Sequence, residues 1–149
     1  MNFKRTFLCV LLILTVCLVQ AHNNYFVQVP QKQNFVAYDR FLKNLGFEFF
    51  GNKGSTYGYR KTERGWNVEI TLISPPTGEI PQVMYEYSEE GVKPSRVYKK
   101  LSQAMIELYG KPFIKTAKEM GWFFSEYSIM LMRDKEGVAV LWEKEDKKW

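Results

Sequence analysis

Few side chains in this sequence can do covalent or metal chemistry. The one histidine is His22, and the two cysteines are Cys9 and Cys17. All three lie ahead of any patterned segment, so a Ser-His-Asp arrangement would have to rest on a histidine outside the folded part. No His/Cys cluster has the spacing of a zinc or transition-metal site, and neither a metal nor a cofactor is expected. Gly51-Asn-Lys-Gly54 lacks the Gly-Lys-Ser/Thr ending of a phosphate loop and precedes no helical pattern. What remains is carboxylates, aromatics and lysines. Glu48, Glu69 and Glu86 fall on strands or their ends, and a pair of them could work as acid and base, as in glycosidases. The simpler reading is that they form the solvated face of an antiparallel sheet, and no catalytic residue is assigned. Tyr57 and Tyr59 flank Gly58 and point to one face, a possible stacking platform for a sugar or anchor for a protein. Trp66 and Trp122 either extend that platform or sit in the core. Lys111, Lys115 and Lys118 form a loose basic group suited to an anion or an acidic partner. The candidate binding residues are therefore Tyr57, Tyr59, Trp66, Lys111 and Lys115.

These residues need a frame to hold them. The most regular element begins at Pro94. Val97, Leu101, Ala104, Met105 and Leu108 share one side of a helix, and Gly110 and Pro112 stop it. An earlier helix is capped by Asn34, shows Phe35, Tyr38, Leu42 and Leu45 on one side, and ends at Gly46. Neither helix is stable alone, so each must dock on a sheet. The clearest strand is Trp66 to Leu72, in which Trp66, Val68, Ile70 and Leu72 alternate with Asn67, Glu69 and Thr71. Tyr57 to Lys61 precedes it. Ile80 to Tyr87 follows, with Val83, Tyr85 and Tyr87 alternating against Gln82, Met84 and Glu86. Two further strands, Tyr127 to Arg133 and Val138 to Glu143, are apolar on both faces over part of their length, which marks them as central. Phe47 to Phe50 starts strand-like before the Gly51–Gly54 loop. Trp122 to Glu126 is ambiguous. The expected fold is α+β in the order α-β-β-β-α-β-β, an antiparallel sheet of about five strands with both helices on one face. A weak repeat aligns the Glu63-Arg-Gly65 turn with the turn ending at Gly137.

Residues 1–21 read as a signal peptide. Lys4 and Arg5 open it, Phe7 to Val19 is apolar but too short to span a bilayer, and Val19-Gln-Ala21 fits a cleavage site. Leu14-Thr-Val-Cys17 resembles a bacterial lipoprotein box except at Val16, where a small residue is expected, so cleavage after Ala21 is the reading kept. Residues 22–33 form an extended lead-in, 34–143 a single α+β domain and 144–149 a charged tail. Losing Lys4 and Arg5 lowers the formal charge from +5 to about +3, with no concentrated basic stripe of the kind nucleic acid requires. Both cysteines leave with the signal, so an exported domain would hold together without a disulfide. No membrane span is expected after signal removal.

The order of signal, amphipathic helix, Leu45-Gly46-Phe47, hairpins, second helix, Leu108-Tyr-Gly-Lys-Pro112, tryptophan and last hairpin resembles small exported proteins of unknown function from Gram-negative bacteria. In topology alone it is similar to β-lactamase-inhibitory protein domains, which usually carry disulfides that this chain lacks. The resemblance implies a small exported protein and assigns no residue a role. The sequence thus suggests a secreted or periplasmic, non-catalytic domain that binds an unknown protein through its open sheet face. The alternative is an envelope glycan held by exposed aromatics, and more remotely a carboxylate hydrolase.

Overall fold

The computed structural model describes residues 29–30 and 34–145. The signal peptide, the rest of the lead-in and residues 146–149 lie outside the described residues. Within the lead-in, Val29 and Pro30 are buried, and Val29 belongs to the core.

Among the described residues, ten elements follow one another. Helix α1 (Phe35–Asn44) precedes four strands, β1 (Glu48–Lys53), β2 (Thr56–Glu63), β3 (Trp66–Ile73) and β4 (Gln82–Glu89). Helix α2 (Pro94–Tyr109) then precedes β5 (Ile114–Lys115), β6 (Glu119–Phe123), β7 (Tyr127–Arg133) and β8 (Val138–Lys144). All eight strands form one sheet in the order β1-β2-β3-β4-β8-β7-β6-β5, antiparallel at every pairing. The five-strand order α-β-β-β-α-β-β is therefore incorrect. Each helix is followed by a four-strand meander, and the two meanders join where β4 pairs with β8. The repeat is real at the level of element order, but its register differs from the turn-to-turn alignment drawn from sequence. The Glu63-Arg-Gly65 turn joins the second and third strands of its meander, whereas the turn at Gly137 joins the third and fourth.

The uncounted strands are the irregular ones. Pairing of β1 with β2 shifts between Phe49 and Gly51, a bulge that breaks side-chain alternation and makes the strand look like a loop. β5 has two residues, and β6 carries Gly121 in its middle.

Alternation divides the sheet cleanly. The cross-strand row Tyr59, Ile70, Tyr85, Val140, Leu131 and Met120 is buried from β2 to β6. Both helices cover this face. From α1, Tyr38 and Leu42 reach into the core, and the Tyr38 and Tyr85 hydroxyls hydrogen-bond each other. Burial holds both hydroxyls well above the ordinary tyrosine range, so they stay protonated. Asn34 caps α1, its Oδ1 accepting from the Ala37 amide at 2.9 Å, and Gly46 (φ +85°) takes the left-handed conformation that ends it. The loop before β4 tethers the start of the same helix, with the Phe35 amide donating to the Gly78 carbonyl at 2.8 Å.

Helix α2 buries Val97, Tyr98, Leu101, Ser102 and Met105. Its buried side is rotated from the expected one, and Leu108 is 52% exposed. Tyr109 packs toward the sheet instead, its ring 6.2 Å from that of Trp122. The Trp122 indole donates to the Gly110 carbonyl at 2.9 Å, which ties the end of the helix to β6.

Candidate functional site

Among the described residues, no helix lies over the opposite sheet face. One cross-strand row on that face links Gly58, Thr71, Met84, Leu141, Met130 and Gly121 through successive pairings from β2 to β6. Thr71, Met84, Leu141 and Met130 are half-buried. The glycines are filled by neighbours. A Cβ on Gly58 would lie 2.5 Å from the Phe50 ring, and one on Gly121 would lie 2.7 Å from the Met130 sulfur and 3.4 Å from the Phe123 ring. Phe50 and Phe123 are themselves about half exposed, at 52% and 51%. The bulge in β1 is what directs Phe50 across Gly58. An apolar stripe thus crosses the sheet from Phe50 to Phe123, roughly 24 Å at ordinary strand spacing.

The rows on either side mix charged and polar residues with apolar ones. On one side Arg60, Glu69, Glu86, Ala139, Met132 and Glu119 stand in register. The Arg60 guanidinium is engaged, 3.4 Å from the Glu48 carboxylate and 5.6 Å from the centre of the Phe50 ring. Glu69 and Glu86 face each other directly across β3 and β4. They line a solvent-open concavity of about 480 Å³ that runs to the β7–β8 turn, where Asp134 and Glu136 complete its wall. The amides of Gly137 and Glu136 donate to Asp134 Oδ1 at 2.9 and 2.7 Å, which holds that carboxyl below its usual range. On the other side, Gln82 donates to Glu143 at 3.0 Å.

The sequence-derived candidates fall elsewhere. Tyr59 is fully buried, its hydroxyl donating to Asp39 of α1 at 2.7 Å. Tyr57 is half-buried on the same covered face, its ring centre 4.4 Å from that of Phe35. The expected surface platform of two tyrosines is therefore an inner wall: alternation correctly joins their faces but does not say which face the helices cover. Trp66 is 5% exposed and lies 5.4 Å beneath Lys100 Nζ. Trp122 is buried as well. Lys111 and Lys115 are exposed, as is Lys118 in the β5–β6 turn. Lys111 borders a second concavity, of about 470 Å³, where Phe113, Phe123 and Phe124 gather at the end of α2. Phe113 there is 86% exposed.

The glutamates do share the open face. Glu69 and Glu86 are neighbours, while Glu48 is two strands away beside Arg60. The face is open and gives these carboxylates no enclosed cleft for a sugar and a water. Met84, Leu141, Met130 and Phe50 were missed by sequence reasoning. Their signal was present in part, since Met84 alternates with Val83 and Tyr85, but only the register aligns it with residues 46 to 57 positions later. Among the described residues, no group of three His, Cys, Asp or Glu side chains is placed to hold a metal, and no helix is long and apolar enough to cross a membrane. The chain matches no protein-family model, no curated protein and no solved structure.

Proposed function

We propose that this chain is a secreted or periplasmic, non-catalytic binding domain whose open sheet face docks a protein partner. Export rests on the pattern of residues 1–21. The observation that carries the docking reading is the row Met84, Leu141 and Met130, half-buried side chains held in register at the centre of a face that no helix covers among the described residues. Methionine and leucine framed by glutamates have the make-up of an interface centre with a polar rim. The size also fits. At ordinary strand spacing and length the face measures on the order of 700 Å², comparable with the roughly 800 Å² each partner contributes to a standard interface.

The test is a crosslinking pull-down from the native host envelope, with residues 22–149 as bait beside a Met84→Asp/Leu141→Asp variant. Recovery of one protein in near-equal amount by the unaltered chain, and its loss with the variant, is the expected result. Equal recovery by both baits overturns the assignment to this face. Recovery of wall polysaccharide alone moves the function to glycan binding, with Phe113 and Phe123 as the exposed aromatics to replace next.

A further inference from the structure

Charge is unevenly divided between the two sides of the molecule. The sequence carries a formal +5, and the helix layer shows exposed Arg40, Lys43, Arg96, Lys99 and Lys100. The open sheet face runs the other way. Glu69 and Glu86 stand opposite each other beside the apolar row, and Asp134 and Glu136 face them across the concavity. Like charges directly opposite one another destabilise a sheet, and the cation in register on the other side of Glu69, Arg60, is shared with a second carboxylate. Arg60 is engaged by Glu48 and Phe50. Arg133, on the rim, points to the helix side, its Nε donating to the Ala117 carbonyl at 2.9 Å and its guanidinium 5.6 Å from the centre of the Tyr98 ring. Lys135, in the β7–β8 turn, adds one positive charge between Asp134 and Glu136. The floor between the acids is apolar, formed by Met132 and Ala139.

We infer that the open sheet face takes a basic partner: a protein segment that lays apolar side chains along Met84, Leu141 and Met130 and directs a lysine or arginine between Glu69, Glu86 and the β7–β8 turn. This inference rests on the docking function proposed above and adds the chemistry of what docks. Two features on one surface carry it. The apolar row gives the segment something to bury against, and the acids beside it are complementary to a cation and to no anionic surface. An exposed alkyl stem ending in a charge suits a floor of methionine and alanine walled by carboxylates, because the stem can lie on the floor while the charged end meets the acids.

A random-peptide display library panned on the full chain tests this, with two variants as counter-targets: Glu69→Lys/Glu86→Lys and Met84→Asp/Leu141→Asp. Both pairs are surface changes, and circular dichroism with thermal melting confirms that each variant folds. The expected result is enrichment of peptides pairing Lys or Arg with apolar residues. Their affinity should fall about tenfold or more on either variant, and fall with added salt. Peptides that are lost on Met84→Asp/Leu141→Asp but bind Glu69→Lys/Glu86→Lys unchanged overturn the basic partner and leave the docking face standing. An absence of enriched peptides, or enrichment indifferent to both variants, overturns both readings. Concentration-dependent self-association of the chain in sedimentation, abolished by Glu69→Lys/Glu86→Lys, would make the occupant a second copy presenting its helix layer and overturn the inference as stated.

Discussion

The two faces of the sheet are built from the same strands and differ in what completes them. On the covered face, large side chains meet the helices, and several polar atoms find partners within the fold, although the buried Tyr98 hydroxyl and Trp142 indole N–H do not. Tyr59 donates to Asp39, the Tyr38 and Tyr85 hydroxyls pair, and the Trp122 indole reaches Gly110. On the open face, Met84, Leu141 and Met130 stop at half-burial, and Glu69 stands between Arg60 on one side and Glu86 on the other. One face is closed by the helices. The other, among the described residues, carries half-buried apolar side chains beside a pair of facing glutamates, the contrast on which the proposed docking function rests.

The largest test of this contrast compares two leucines on adjacent strands. Leu131 of β7 is fully buried against the helices, and Leu141 of β8 stands on the opposite face. Leu131→Ala should destabilise by about 2–5 kcal/mol in urea unfolding. Leu141→Ala should cost less, about 1–2 kcal/mol, because that side chain is only half-buried and no described helix packs over it. Equal costs would mean that the open face is also part of the stabilising core.

The next effect lies in the tyrosine–aspartate contact that fixes α1. Asp39 accepts from Tyr59 at 2.7 Å and from Lys43 at 2.8 Å. Partial burial works against ionisation of its carboxyl, but the Lys43 and Tyr59 hydrogen bonds and the Lys43 charge outweigh this and hold it below the ordinary carboxylate range. A carboxyl depressed in the folded state contributes stability above its unfolded value, near pH 4, and loses it as pH falls through the folded value. Asp39→Ala should therefore cost about 1–3 kcal/mol at neutral pH by leaving the Tyr59 hydroxyl unpaired. The gap between variant and parent should narrow as the solution is acidified below pH 4. A gap that stays constant through that range would show that Asp39 contributes by packing alone.

The smallest effect belongs to the open face. Gly58→Ala would place a methyl group where the Phe50 ring now lies. Because Phe50 is half exposed, its ring can move away, and the stability cost should be about 1 kcal/mol. The apolar row would lose its end, so partner binding should weaken more than stability does. The reverse order would assign Gly58 a folding role only.

Legibility in the sequence followed the same division. The Trp66–Leu72 alternation, the Asn34 cap and the Gly46 and Gly110 stops are local patterns, and the structure places each where the residues indicate. Strand number was misjudged where local pattern fails: at the bulge near Phe50, in the two-residue β5 and around Gly121. The proposed docking surface was harder still. Tyr57 and Tyr59 carry no local sign that Phe35 and Asp39 will cover them. Met84 and Leu141 look like ordinary strand residues until β4 and β8 pair across a separation that includes a helix and three strands.

That pairing also sets an order in time. β8 follows every other strand in chain order, yet it sits at the centre of the sheet, between β4 and β7. Until it is synthesised, both of those strands present bare edges, and the two meanders have no ladder to join them. Among the described residues, the sheet is therefore closed by the strand that comes latest in the chain. Without Val138–Lys144, β4 and β7 would each present an adhesive edge.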